Sequence, residues 1–200
     1  HNLTPQIKQA QRYGFNLSKV PNVGNVVFTY ILTLKDLIDE ILYYNEGKGA
    51  VDYITETKEL IKKASVGLDE TWGLDHGAWS VLKHLYPNAD VPVIQLSIDY
   101  TKPPQYHFDL AKKLQKLREK GILIIGSGNV VHNLRMIDWK NINTVGAGWD
   151  WAIEARAKTN EWILDGNFQN LIHFEKQGTA LQNAIPTPDH YLPLIYTLGL

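Results

Sequence analysis

Seven histidines are spread over the 200 residues, and three of them stand where an imidazole could do chemistry. His76 lies in "TWGLDHGAWSVLKHLYP", between an aspartate and a glycine, with a tryptophan on either side. His132 lies in "GSGNVVHNLR", and His190 in "PTPDHYLPL", where prolines fix the approach of the chain and Asp189 is adjacent. An imidazole titrates near neutrality, so it can carry a proton or, as the neutral ring, bind a metal. Together with Asp or Glu, histidine can hold a ferrous ion while leaving coordination positions open. Each position also has a structural reading. His76 can be an ordinary core or surface histidine, and His190 a helix-start histidine bonded to local backbone. His84, His107 and His173 have no such setting and read as structural or exposed.

The glycines of "GSGNVVHNLR" admit several uses. They let another group approach the backbone closely, or cradle a phosphate at a helix N-terminus. As a dinucleotide fingerprint the stretch is poor, because it lacks the third glycine and no acidic residue follows at the proper distance. Ser127 as a nucleophile lacks the flanks of a nucleophile elbow. Plain loop glycines after a strand are the simplest reading.

Composition narrows the classes. Hydrophobic residues make up 44% and charged residues 20%, which is ordinary for a globular protein. The formal net charge of −1 sets up no field favouring nucleic acid or an anionic membrane. The run "KKLQKLREK" reads as the wet face of a helix. With no cysteine there are no disulfides, iron–sulfur clusters, thiolate zinc sites or cysteine nucleophile. No apolar run reaches the roughly 18 residues that span a bilayer, and no signal-peptide pattern opens the sequence. A cytoplasmic, non-membrane protein is expected.

The elements that must position the histidines read as one α/β domain over residues 1–200. Thr4 and Pro5 suggest a short helix over 5–13, stopped by Gly14. "VVFTYILTL" (26–34) reads as a buried strand, passing near Thr33–Asp36 into a helix that carries Leu37, Ile38, Ile41 and Leu42. A single apolar helix over 26–44 is the alternative. Residues 50–64 form an amphipathic helix with Ile54 and Ile61 on one face, and 78–86 another, stopped by Pro87. "VPVIQLSI" (91–98) is a strand, 105–121 a helix with Leu110, Leu114 and Leu117 on one stripe, and 122–128 a second buried strand entering the glycine loop. Residues 147–163 read as helical, and "HYLPLIYTLGL" closes the sequence with an apolar segment. Apolar strands alternating with helices predict a central, mostly parallel or mixed sheet flanked by helices. Sites in such sheets form at the carboxyl ends of strands, which is where Ser127, Asn129 and His132 belong.

"GLDHGAWSVLKHLYPNADVPVIQLSID", "GSGNVVHNLR" and "PTPDHYLPLIYTLG", in this order and spacing, resemble the class III extradiol ring-cleavage dioxygenases, in the branch containing the DOPA 4,5-dioxygenases. The resemblance is clear from Glu59 to Leu200, faint over 37–58 and absent over 1–34. It implies an α/β fold with a central sheet and one non-haem divalent metal per chain, Fe(II) when active on catechols, though Zn(II) can occupy the site. It implies His132 as acid/base and also as a residue at the metal. His190 is then a metal ligand, and His76 a catalytic pocket histidine that orients substrate or dioxygen. Small aromatic diols and dioxygen would be the partners. Two further histidine motifs of the family, Gly-His-Gly-Ser/Asn-Pro and Ser-Ala-His-Trp, do not occur in these residues. Asp36, Asp39 and Glu40 are substitutes by type, but their spacing matches the solvated face of a helix. The resemblance therefore implies an extradiol dioxygenase of DOPA-like catechols, with a non-catalytic ligand-binding or scaffold protein on the same fold as the alternative. A nucleotide-binding domain using "GSGNVV" is the third reading.

Overall fold

A computed structural model describes residues 27–30, 40–44, 50–61, 66–69, 74–87, 93–120 and 122–200. The strands β1 (Val27–Tyr30), β2 (Glu40–Tyr44), β3 (Val66–Asp69), β4 (Val93–Leu96) and β5 (Leu123–Gly126) form one sheet in the order β3-β2-β4-β1-β5. β1 lies between β4 and β5 and is parallel to both. Tyr30, Leu96 and Gly126 thereby stand side by side at the carboxyl edge. β2 runs antiparallel to β4 and parallel to β3, so the sheet is mixed.

The helices are α1 (Ala50–Leu60), α2 (His76–Leu85), α3 (Pro104–Arg118), α4 (Asp150–Leu164), α5 (Phe168–Ile172), α6 (Thr179–Ala184) and α7 (Leu192–Gly199). Pro104 suits the first turn of α3, where its missing N–H has no helical partner to lose. The α3 stripe is buried as expected, with Leu114 and Leu117 fully so, while Lys112, Lys116 and Arg118 face water. α7 is apolar along most of its length and lies against α3 so closely that a Cβ on Gly199 would come 2.6 Å from the Phe108 carbonyl oxygen. Between the two helices, the fully buried His107 shares a hydrogen bond of 3.1 Å from Nδ1 to the Tyr196 hydroxyl. Burial pushes the His107 imidazole down to about 4, so it sits in the core as the neutral ring. One apolar cluster joins Ile94 and Leu96 of β4 to α3, α5, α6 and α7. Among the described residues, no helix is long and apolar enough to cross a membrane.

Several expectations need correction. Ile41 and Leu42, assigned by spacing to a helix, lie on strand β2, and the alternative of one helix over 26–44 fails with β1 and β2 both extended. β3 and the short helices α5 and α6 had no sequence signal strong enough to register. The helices expected over 50–64 and 78–86 run instead over Ala50–Leu60 and His76–Leu85. The helix expected over 5–13, and the turn at Thr33–Asp36, lie outside the described residues. His84 and His173 are exposed, as expected.

Leu114→Ala removes a fully buried stripe residue and is expected to cost about 2–5 kcal/mol of unfolding free energy, read from the urea midpoint.

Candidate active site

The carboxyl edge of β1, β4 and β5 is where two of the three histidines meet. The loop after β5 carries His132, and the segment entering α7 carries His190. Their rings stack with centroids 3.6 Å apart and planes 17° from parallel. Backbone contacts hold the pair. The Asn129 N–H donates to the His190 carbonyl at 2.8 Å, and the His132 N–H donates to the Ala184 carbonyl at 2.8 Å. Next to His132, the Asn133 side-chain amide donates to the Asn183 carbonyl, tying the same loop to the end of α6.

Glycine is required where these segments touch. A Cβ on Gly128 would lie 2.2 Å from the His190 carbonyl oxygen, and one on Gly126 would lie 2.6 Å from that of Pro193. The loop glycines are therefore there for close backbone approach, one of the uses read from the sequence, and the backbone they meet is that of the histidine-bearing segment itself.

His190 and Asp189 form a pair of their own, Nδ1 to Oδ2 at 2.8 Å. A carboxylate accepting from Nδ1–H fixes the tautomer and leaves Nε2 with its lone pair, the arrangement common for a metal-bound or proton-accepting histidine. His132 is held below the usual histidine range, first by partial loss of solvent, then by the neighbouring His190, with Asp189 opposing. It is therefore the neutral ring at neutral pH.

His76 is exposed and opens α2. Asp75 caps that helix, its Oδ1 accepting from the Ala78 N–H at 3.0 Å. The Asp75 N–H donates to Gln95 Oε1 on β4 at 3.1 Å. The Ser127 hydroxyl donates to the Gly77 carbonyl at 3.1 Å. The start of α2 thus adjoins the loop that carries His132. Burial pushes the Asp75 carboxyl up to about 7, against the opposing pull of the Ala78 and Gly77 N–H groups. Its Oδ2 is buried with no hydrogen-bond partner among the described residues.

The residues fit one ligand of a non-haem metal, His190 through Nε2. The stack does not fit two-point ligation as it stands, because lone pairs lie in the ring planes and nearly parallel rings aim them side by side. Among the described residues, no group of three or more His, Asp or Glu side chains could hold a metal ion. Asp36 and Asp39 lie outside the described residues, and of Glu40 only the backbone, on β2, is described. The roles of Asp75 and Gln95 had escaped the sequence reading. Their signals were an Asp at cap position before a helix, and one amide inside an otherwise apolar strand.

Two outcomes follow from these contacts. Gly128→Ala is expected to lose about 1–3 kcal/mol through forced backbone separation, whereas Gly148→Ala, whose Cβ would find only ordinary contact at 3.7 Å, stays near wild type in the same urea titration. The raised Asp75 carboxyl favours the fold in its protonated form. That contribution is complete below the unfolded carboxylate range and is lost as pH rises through about 7. Asp75→Asn keeps a helix-capping side chain, so the difference in melting temperature between variant and wild type should move in the variant's favour from pH 4 to pH 8. A difference that stays flat would contradict this.

Residues 28–200 match the family described as the catalytic LigB subunit of aromatic ring-opening dioxygenase. A 4,5-DOPA dioxygenase extradiol of Escherichia coli (strain K12) is 44% identical over 144 residues, 70% of this chain and 52% of that protein. Another of the same name from Mirabilis jalapa is 32% identical over 153 residues, 76% of this chain and 56% of that one. The chain thus spans about half the length of the curated relatives it matches. The crystal structure of an uncharacterized protein from Escherichia coli K12 superposes with a TM-score of 0.69 at 31% identity, covering 96% of this chain and 80% of that one. LigB-family dioxygenases depend on a non-haem metal. The histidine pair at the sheet edge is therefore read within a known lineage: the chain belongs to the LigB family of class III extradiol dioxygenases, in the branch of the 4,5-DOPA dioxygenases.

Proposed function

We propose that this chain, as a single extradiol-dioxygenase-like domain over residues 1–200 with a central sheet, opens the ring of catechols such as DOPA with dioxygen. The stacked His132 and His190 at the carboxyl edge of β1, β4 and β5 carry the proposal. His190 serves as a ligand of Fe(II), or of Zn(II) in an inactive form, with Asp189 holding its ring. When bound, Fe(II) supplies the redox chemistry that joins a chelated catechol to dioxygen.

The chain's own residues supply binding and proton handling. A catechol must give up protons to chelate, and His132 is neutral at working pH, so its free nitrogen can accept one and return it later. His132 also stands close enough to His190 to act near the metal, which is why both roles attach to it. His76, exposed at the start of α2, orients substrate or dioxygen. No helix among the described residues is long and apolar enough to cross a membrane, and the near-neutral net charge sets up no field favouring nucleic acid. A cytoplasmic location goes with this reading.

The test is anaerobic loading with Fe(II), addition of a catechol panel including DOPA, and admission of oxygen while the yellow ring-opened semialdehyde is followed. Wild type is expected to form it. His132→Ala should lower the rate by about 100-fold or more while metal uptake is retained, and His190→Ala should abolish both. If no catechol is opened, yet catechols still bind and His132→Ala leaves that binding unchanged, the protein is a ligand-binding member of the fold and the catalytic proposal fails.

A further inference from the structure

His76 is tethered through the residues on both sides of it, to strand β4 and to the loop that follows β5. On one side the Asp75 N–H is bonded to Gln95 of β4, a residue only 1% exposed. On the other, the Gly77 carbonyl accepts from the Ser127 hydroxyl just beyond β5. A carbonyl oxygen has two lone pairs, so Gly77 can take this bond without giving up a helical one. Two tethers, on the residues flanking His76, fix the first turn of α2 against the sheet edge in two directions, which the Asp75 cap alone, bonding within its own helix, cannot do.

Ser127 is itself immobilised. Gly126 and Gly128 on either side of it abut the carbonyls of Pro193 and His190 at distances that admit no Cβ. The path Gly77–Ser127–Gly128–His190 is thus a chain of direct contacts from the His76 segment to the histidine pair. These contacts give the glycines and the serine a task other than a nucleophile elbow or a phosphate cradle. We propose that Ser127 is a positioning residue that sets His76 relative to His132 and His190, with Gln95 as the second tether. The proposal rests on the reading of His76 as the residue that orients substrate or dioxygen.

The experiment follows the imidazole carbon–proton NMR signals of the whole chain, with the His76 signal assigned by its loss in His76→Ala. Ser127→Ala is expected to shift and broaden the His76 signal while those of exposed His84 and His173 stay in place. Ser127→Thr, which keeps the hydroxyl, should retain the wild-type signal. Should Ser127→Ala fail to fold, Gln95→Leu cuts the other tether and is expected to move the same signal. In the Fe(II)-loaded enzyme, Ser127→Ala should lower kcat by roughly tenfold with little change in KM, as expected for a misplaced group. An unmoved His76 signal in Ser127→Ala, or in Gln95→Leu where that stands in, would overturn the proposal, and so would a displacement that Ser127→Thr shares. Absence of turnover in wild type would sink the dioxygenase reading alone, since the NMR signals still decide whether Ser127 positions His76.

Discussion

The backbone of Gly128 and the carbonyl of His190 occupy space that leaves no room for a side chain between them, and the rest of the site is arranged around that approach. The Asn129 N–H to His190 carbonyl bond closes the same contact. With the two segments held together at the backbone, the rings of His132 and His190 come close enough to stack, 3.6 Å between centroids. Glycine makes this possible at a cost in chain entropy, and the buried apolar packing of α3, α6 and α7 beneath it offsets that cost.

The sheet supplies the frame. Because β1, β4 and β5 are parallel and in register, their carboxyl ends deliver Tyr30, Leu96 and Gly126 to a single edge. The chain leaves β5 there into the His132 loop, while the Asp75–Gln95 bond ties the start of α2 to β4. α7 returns His190 to the same edge because its apolar residues pack on α3, with His107 and Tyr196 paired between them. Polar groups buried in this region are therefore mostly bonded across elements, and the exceptions are telling. Among the described residues these exceptions include the second oxygens of Asp75 and Asp189, each beside a site histidine, and also His107 Nε2 in the core.

Much of this was legible locally and some of it was not. The β4–α3–β5 unit was plain because its strands are short apolar runs and its helix has a leucine stripe, and all three elements survive with boundaries moved by a few residues. Of its two strands only β4 is buried as expected: β5 lies at the edge of the sheet with Leu123 exposed, so its apolar run did not mean burial. Ile41 and Leu42 misled because Leu37, Ile38, Ile41 and Leu42 repeat at a helical spacing, while the pairing that makes 40–44 a strand comes from β3 and β4, distant in sequence. The three site histidines stand out by their neighbours, yet nothing local says that His132 and His190, 58 positions apart in sequence (190 − 132), stack once the helices have packed. The same holds for the bond from Ser127 to Gly77, which a reading of "GSG" as a loop or a cradle had no means to anticipate.

The central claim is that the His132–His190 pair belongs to a metal-dependent site. Elemental analysis of the purified chain, stripped with chelator and reloaded with Fe(II) or Zn(II), measures this most directly. The account predicts one ion held per chain, with its release by His190→Ala. A chain that takes up no metal, or one whose bound ion is indifferent to His190, would contradict it.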